Sequence, residues 1–426
     1  MTSLIEHKNQ SKTSFIIYYQ GFLAIASIFV FFTRLDVYLQ DHTSIIPLYW
    51  LIGFLLASLP LFLSLFKRFD GISTNVLLWA GAYIALSLIS ILIQPTFPDQ
   101  QFLEDQYRTI IFLFLMLTIF CYHPLVTKWV KLTILSVTLL NVGMFVYEFF
   151  NPLAFHEIQR AAGRSSGFYD DSNTAGIAII LGMIFTIDMI KPKYRLFYAL
   201  FIFLGIASTF SRGSIAGWVL VAGLFILTKV IPRYQMPLIL LFFMIVISIL
   251  STQLNNLKYL KTADGTALFE KDTLARVEFL IDPFAQKDSS QASRLHHVED
   301  AWKKFEASPF IGNGLGSGQN SATVSQVGKA QRSHNTYLDL MVEYGFLGAL
   351  IFPALLLASV WEAEGQFKRQ GIVFVLFLMS QGFFSHTLLS EFCSLIFYAI
   401  MANLTKHSCL QNSHDTPVDQ IYSQNF

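Results

Sequence analysis

Long apolar runs alternate with short polar segments along almost the whole chain. Taking about 20 residues per membrane crossing, the runs fall near 14–32, 45–66, 74–94, 108–122, 132–150, 174–190, 196–210, 214–230, 236–252, 336–360, 371–388 and 390–405. The pattern predicts an all-α polytopic membrane protein with about 12 transmembrane helices. One polar stretch is far longer than the rest and reads as a large loop outside the cytoplasm. It is too long for a structureless connection and is expected to contain short helices. The chain then divides into residues 1–252 with helices 1–9, the loop 253–333, residues 334–405 with helices 10–12, and a polar tail, 406–426, expected to be disordered. No small-residue cleavage site follows the first run, which reads as a retained span and not a signal peptide.

Composition agrees: 54% of the 426 residues are hydrophobic and 13% charged, with a mean hydropathy of +0.52. Length therefore counts helices here, not soluble domains. A formal net charge of +1 gives no reason to expect nucleic acid as a partner. Cys121 and Cys393 lie in apolar runs and Cys409 in the tail, so no disulfide framework is legible. Orientation follows from lysine and arginine. With the N-terminus inside, the internal segments from Lys8 to Lys406 carry fourteen of them. The short external loops carry only Arg34, Arg108, Arg160, Arg164 and Arg212. Both termini are therefore expected in the cytoplasm and the long loop outside.

The candidate chemistry gathers on the external side. On a helical wheel, Arg294 shares the apolar face of 294–305 with Val298, Ala301 and Phe305. Its stem either snorkels along a packed helix or carries the guanidinium into a lipid-headgroup pocket. Arg212 stands between two apolar runs, where a cation needs an anion as partner, a carboxylate or a ligand. Arg164 sits in a turn-rich loop and suits either loop structure or ligand contact. Gly312, Gly314, Gly316 and Gly318 alternate in a run that fits a plain turn as well as a nest of amides for a phosphate. His334 stands at a helix entrance that Asn335 or Thr336 can cap, and a neutral imidazole there can accept a proton from a hydroxyl. Asp339 and Glu343, one turn apart, suggest that this helix starts above the bilayer. Gly345, Gly348 and Ala349 suggest close helix packing. His386 and Glu391 lie outside the last two spans, and Glu391 suits orienting a histidine or pairing with an arginine. No Asp-x-Asp pair, HExxH, P-loop or Cys/His metal spacing is present. A phosphate handled here would have its charge met by arginines, without a metal or other cofactor.

These motifs resemble a known family. His334-Asn335 followed by Gly345-x-x-Gly348 is similar to the signature of the O-antigen ligase and polymerase superfamily, and Arg294-x-x-x-Val298 resembles its arginine motif. Ser211-Arg212-Gly213, Gly167-Phe168 to Asn173, and Pro309 to Gly316 resemble further landmarks, in order. The resemblance runs over about 163–349 and departs from the ligase pattern at Val298 and Ala349. It implies a metal-independent, inverting glycosyltransferase of the bacterial inner membrane with a periplasmic active site. The glycan would pass from undecaprenyl diphosphate to a hydroxyl of lipid A-core or another glycan acceptor. His334 would be the base, with Glu391 supporting it or an arginine. Arg212, Arg294 and Arg164 would hold the diphosphate, with Asn335, Tyr337, Gly314 and Gly316 in supporting positions. A repeat-unit polymerase and a protein O-oligosaccharyltransferase share this chemistry. A flippase for the same lipid would instead need charged residues along a path through the bilayer.

Overall fold

In the computed structural model, the described residues are 2–65, 72–93, 100–152, 154–156, 164–239, 289–318, 320–324 and 330–413, with scattered positions between 241 and 278. Parts of the expected span 236–252 and of the loop 253–333, together with Arg160 and the tail beyond 413, lie outside them. The helices are α1 (Thr2–Ser27, continued by a π-helical turn, Ile28–Phe32), α2 (Leu35–His42), α3 (Pro47–Ala57), α4 (Leu59–Leu65) and α5 (Thr74–Ile93). Then come α6 (Gln100–Ile119), α7 (Pro124–Phe150), α8 (Ser172–Thr186), α9 (Arg195–Thr209) and α10 (Arg212–Leu227). Past the partly described segment follow α11 (Ser289–Ala307), α12 (Thr336–Tyr344), α13 (Gly348–Val360), α14 (Gly365–Gln381) and α15 (Phe392–Ser413). The long loop also holds a small antiparallel hairpin, β1 (Asn320–Val324) with β2 (Ala330–Gln331), which the all-α expectation omitted.

Six segments among the described residues are long and apolar enough to cross a membrane: Phe15–Thr33, Pro47–Ser64, Thr74–Ile93, Pro124–Phe150, Ser172–Met189 and Thr336–Val360. Arg212–Leu227 and Phe392–Lys406 are apolar but shorter. Prolines open α3 and α7 at their first turns, where the missing N–H costs nothing. Asp171 and Ser211 cap α8 and α10 by accepting from Thr174 and Ser214. At the centre α8 is buried along its whole length and packs against α7, α9, α10 and α14. Small residues bring it there: a Cβ on Gly176 or Gly182 would collide with Ser214 or Thr138. The last helix runs on to Ser413, so the start of the expected tail is helical.

The largest departure from the sequence pattern is at 336–360, which hydropathy presents as one span. A Cβ on Gly348 would strike the Leu340 carbonyl, eight residues upstream and about 12 Å away along an unbroken helix. The chain therefore doubles back past the last turns of α12. The reversal is possible because Gly345 sits at φ 67°, ψ −156°, a region that is essentially glycine's alone. Asp339 and Glu343 consequently do not stand in water, as the sequence suggested: they are 4% and 6% exposed, inside the bundle.

Gly345→Ala is expected to destabilise the protein by at least about 1–3 kcal/mol, because its Cβ would also meet the Phe310 backbone at 2.5 Å. Gly81→Ala, with nothing within 4 Å of its Cβ, should be neutral or stabilising by up to about 1 kcal/mol. Thermal unfolding in detergent checks both, and equal midpoints would contradict the reversal.

Candidate functional site

Four bonded anchors hold the His334 segment. Asn335 caps α12 by accepting from the Tyr337 and Leu338 amides at 3.0 and 3.1 Å. Thr336 donates its amide to Gly382 and Ser385 carbonyls at 2.8 and 2.9 Å, and Tyr337 donates its hydroxyl to the Met379 carbonyl at 2.8 Å. Ser333 donates its hydroxyl to the buried Asp339 carboxylate at 2.5 Å. Between these fixed points His334 takes a left-handed backbone, φ 57°, a strained conformation that the surrounding bonds over-determine. Its ring meets His386 edge-on, with centroids 4.9 Å apart.

α11 supplies the second wall. Ala301 and Phe305 bury against Leu338 and Val342 of α12, with Val298 packed beside them. The apolar face read from the sequence thus covers a neighbouring helix, and Arg294, on that face, is half-buried. Arg294 and His297 act electrostatically on His334. Burial and then Arg294 push its pKa down to about 4, with His297 adding to the effect and Asp171 opposing it. His334 is a neutral imidazole at physiological pH.

Asp171 connects this pair to the other two arginines. It accepts from Asn173 at 3.1 Å, and the Asn173 side-chain Oδ1 accepts from Arg164 at 3.1 Å and from Ser211 Oγ at 2.8 Å. Arg164 also donates to the Thr209 carbonyl at 3.0 Å. Its loop is anchored by Glu148, which accepts from the Ser166 and Gly167 amides at 2.7 and 2.6 Å. Arg212 follows Ser211 as the first residue of α10, whose start is tied to α14 by a 3.2 Å bond from Gln381 to the Gly213 carbonyl. The ends of α8, α10, α12 and α14 thus converge, with Asp171 acting on His334 and bonded through Asn173 to Arg164.

The remaining nominated residues lie elsewhere. Glu391 pairs with Arg34, which also reaches Asp36 at 3.3 Å. Burial works against charge on Arg34, but Glu391 and Asp36 outweigh it and raise its pKa. Gly314 and Gly316 sit at the far end of α12. The amides of Asn313 and Gly314 reach the Val342 and Glu343 carbonyls at 2.8 and 3.2 Å, and Glu343 accepts from the Gly316 backbone. Those amides complete the last turn of α12. Sequence reasoning missed Arg34, Glu148 and Asp171 as organising groups, and Arg332. A readable signal did exist for Asp339 and Glu343: with Thr336 they form a polar stripe at helical spacing in an apolar run. Among the described residues no group of three His, Cys, Asp or Glu side chains could hold a metal ion.

Arg34→Ala would strand two carboxylates and is expected to cost about 3–5 kcal/mol, against a smaller loss for Glu391→Ala, which leaves Asp36 paired. Unfolding midpoints of the two variants check this, and a negligible shift in Arg34→Ala would show the network to be screened by solvent.

Among curated proteins none matches the chain. Residues 197–352 match the family described as O-Antigen ligase, a span that contains Arg212, Arg294, His334 and the glycine loop and excludes Arg164 and Glu391. That match supports a place for this part of the chain in the O-antigen ligase superfamily, with its ligase- and polymerase-type handling of glycans.

Proposed function

We propose that the protein is a glycosyltransferase that moves an O-antigen or similar glycan from undecaprenyl diphosphate to a hydroxyl of lipid A-core. On this reading it crosses the inner membrane twelve times, keeps both termini in the cytoplasm and works at the periplasmic face. The observation that carries the reading is the setting of His334: an imidazole kept unprotonated by burial and by the Arg294 guanidinium. Arg294 and Arg212 hold the diphosphate, and Arg164 braces the Asn173–Ser211 side of the site. The acceptor hydroxyl gives its proton to His334 while its oxygen attacks the anomeric carbon. The bond from that carbon to the diphosphate oxygen breaks, and the leaving group keeps the electron pair. Charge therefore grows on the diphosphate in the transition state, where preset guanidiniums act most strongly. A single displacement inverts the anomeric carbon. Glu391 enters by fixing Arg34 between α1 and α15.

Donor binding also tunes the base. An anion beside Arg294 offsets the guanidinium that drives the proton off His334, so the imidazole becomes more basic when the donor is in place.

With purified protein, lipid-linked glycan and acceptor, His334→Ala is expected to abolish transfer while leaving the protein inserted. Arg294→Lys should lower kcat/KM by about tenfold to a hundredfold, because lysine lacks the planar fork; activity near wild type in either variant would contradict the assignment.

The pH profile supplies a separate check. A base must be unprotonated, so kcat/KM for the donor, which reports the free enzyme, should hold from pH 7 to 5 and fall only as pH approaches about 4. The acid limb of kcat should lie at higher pH. A limb of kcat/KM at the ordinary histidine value of about 6.5 would contradict the buried, arginine-flanked setting.

A further inference from the structure

The mechanism uses one face of α12 and leaves the other idle. Leu338 and Val342 turn toward α11, whereas Thr336, Asp339, Leu340 and Glu343, at i, i+3, i+4 and i+7, line a narrow, partly open cleft. The outer halves of α5 and α6 close it with Tyr83, Asp105 and Gln106, and the turn after α14 closes it with His386 and Ser390. His386 is thus shared: it lines the cleft, and its ring packs on that of His334.

The chemistry of this cleft is the reverse of that on the α11 side. Three carboxylates, Asp105, Asp339 and Glu343, share it with Arg332. Such a wall offers acceptor oxygens to hydroxyl groups, and the Gln106 Oε1 adds another, its Nε2 being bonded to Ser87 and Tyr344. The carboxylates are costly to keep. Asp339 and Glu343 are buried in a segment apolar enough to cross a membrane, where charge persists mainly for function. Asp339 spends one oxygen on Ser333, and its other, Oδ2, has no hydrogen-bond partner among the described residues. A hydroxyl donor would meet that need. An aromatic wall at Tyr83 adds a surface suited to a sugar ring.

We propose that this cleft holds the acceptor: a neutral, hydroxyl-rich saccharide that enters between α5, α6 and α12 and presents one hydroxyl past His386 to His334. The proposal rests on the transferase reading and assigns its two substrates to opposite faces of α12. The anionic donor lies on the arginine side and the sugar acceptor on the carboxylate side.

The test uses the full-length protein in nanodiscs and, as probe, a neutral hexose oligosaccharide. Saturation-transfer NMR reads its binding directly, independently of any turnover. The proposal expects the wild type to bind it, and Asp105→Ala and Gln106→Ala each to weaken binding by about tenfold, the loss of one hydrogen bond of roughly 1.4 kcal/mol. Asp105 is at the cleft rim, its side chain 47% exposed, so its replacement leaves packing intact. Binding of the lipid-linked donor should be unchanged in both. No binding by the wild type, unaltered binding in both variants, or loss of donor binding in Asp105→Ala would overturn the assignment. Where oligosaccharide binding behaves as expected but no glycan is ever transferred to it, the transferase reading fails and the saccharide cleft stands.

Discussion

The reversal at Gly345–Gly348 is the constraint on which the rest of the site depends. A straight helix from 336 to 360 would hold Asp339 and Glu343 at its outer end and leave Ser333–Thr336 at its tip without lateral contacts. Folded back, α12 instead presents one side to α11 and the other to a polar cleft, and Thr336 bonds the turn that follows α14. The glycine loop at 312–316 belongs to the same device. Gly312 at φ 81° lies against the Glu343 backbone with no room for a Cβ, and the loop's amides take up carbonyls that the end of a helix leaves unbonded.

Charge is sorted around this short helix. Arg164, Arg212 and Arg294 lie near the starts of α8, α10 and α11 with Asp171 among them, and Asp105, Asp339 and Glu343 share the cleft beside α5 and α6 with Arg332. His334 lies at the border, forced into a left-handed backbone and kept neutral by burial and by Arg294. Neither feature favours stability in isolation. Both are imposed by neighbours that are themselves well bonded, which is how folded proteins sustain strain where chemistry is done. A second ionic cluster, Arg34 with Asp36 and Glu391, ties the first helix to the last.

Much of the helical plan was legible because membrane crossings are written in hydropathy and loop charge. The position of Arg294 on an apolar face was legible from helical spacing, and the cap at Asn335 from residue type. Hydropathy does not report chain direction, so 336–360 read as one rod and the doubling back at Gly345 went unseen, although Gly345 and Gly348 did mark a close approach. Alternation in the glycine loop spoke for exposed amides but not for where they point, and they point at α12. Partners distant in sequence were not legible either: Glu391 and Arg34 are 357 residues apart, and no local pattern selects one arginine among several. Asp171 and Glu148 read as ordinary loop and helix-end acids, yet they link and anchor the arginine-bearing segments.

The central claim is that Arg294 and His334, brought together by the docking of α11 on α12, share one half-buried environment. Titration of His334 by NMR, with carbon-labelled histidine and the His334→Gln variant for assignment, tests it directly in wild type and in Arg294→Gln. The account predicts a pKa near 4 in the wild type and a clear rise when the guanidinium is removed. Titration of the wild-type ring at the ordinary histidine value, unmoved by Arg294→Gln, would contradict it.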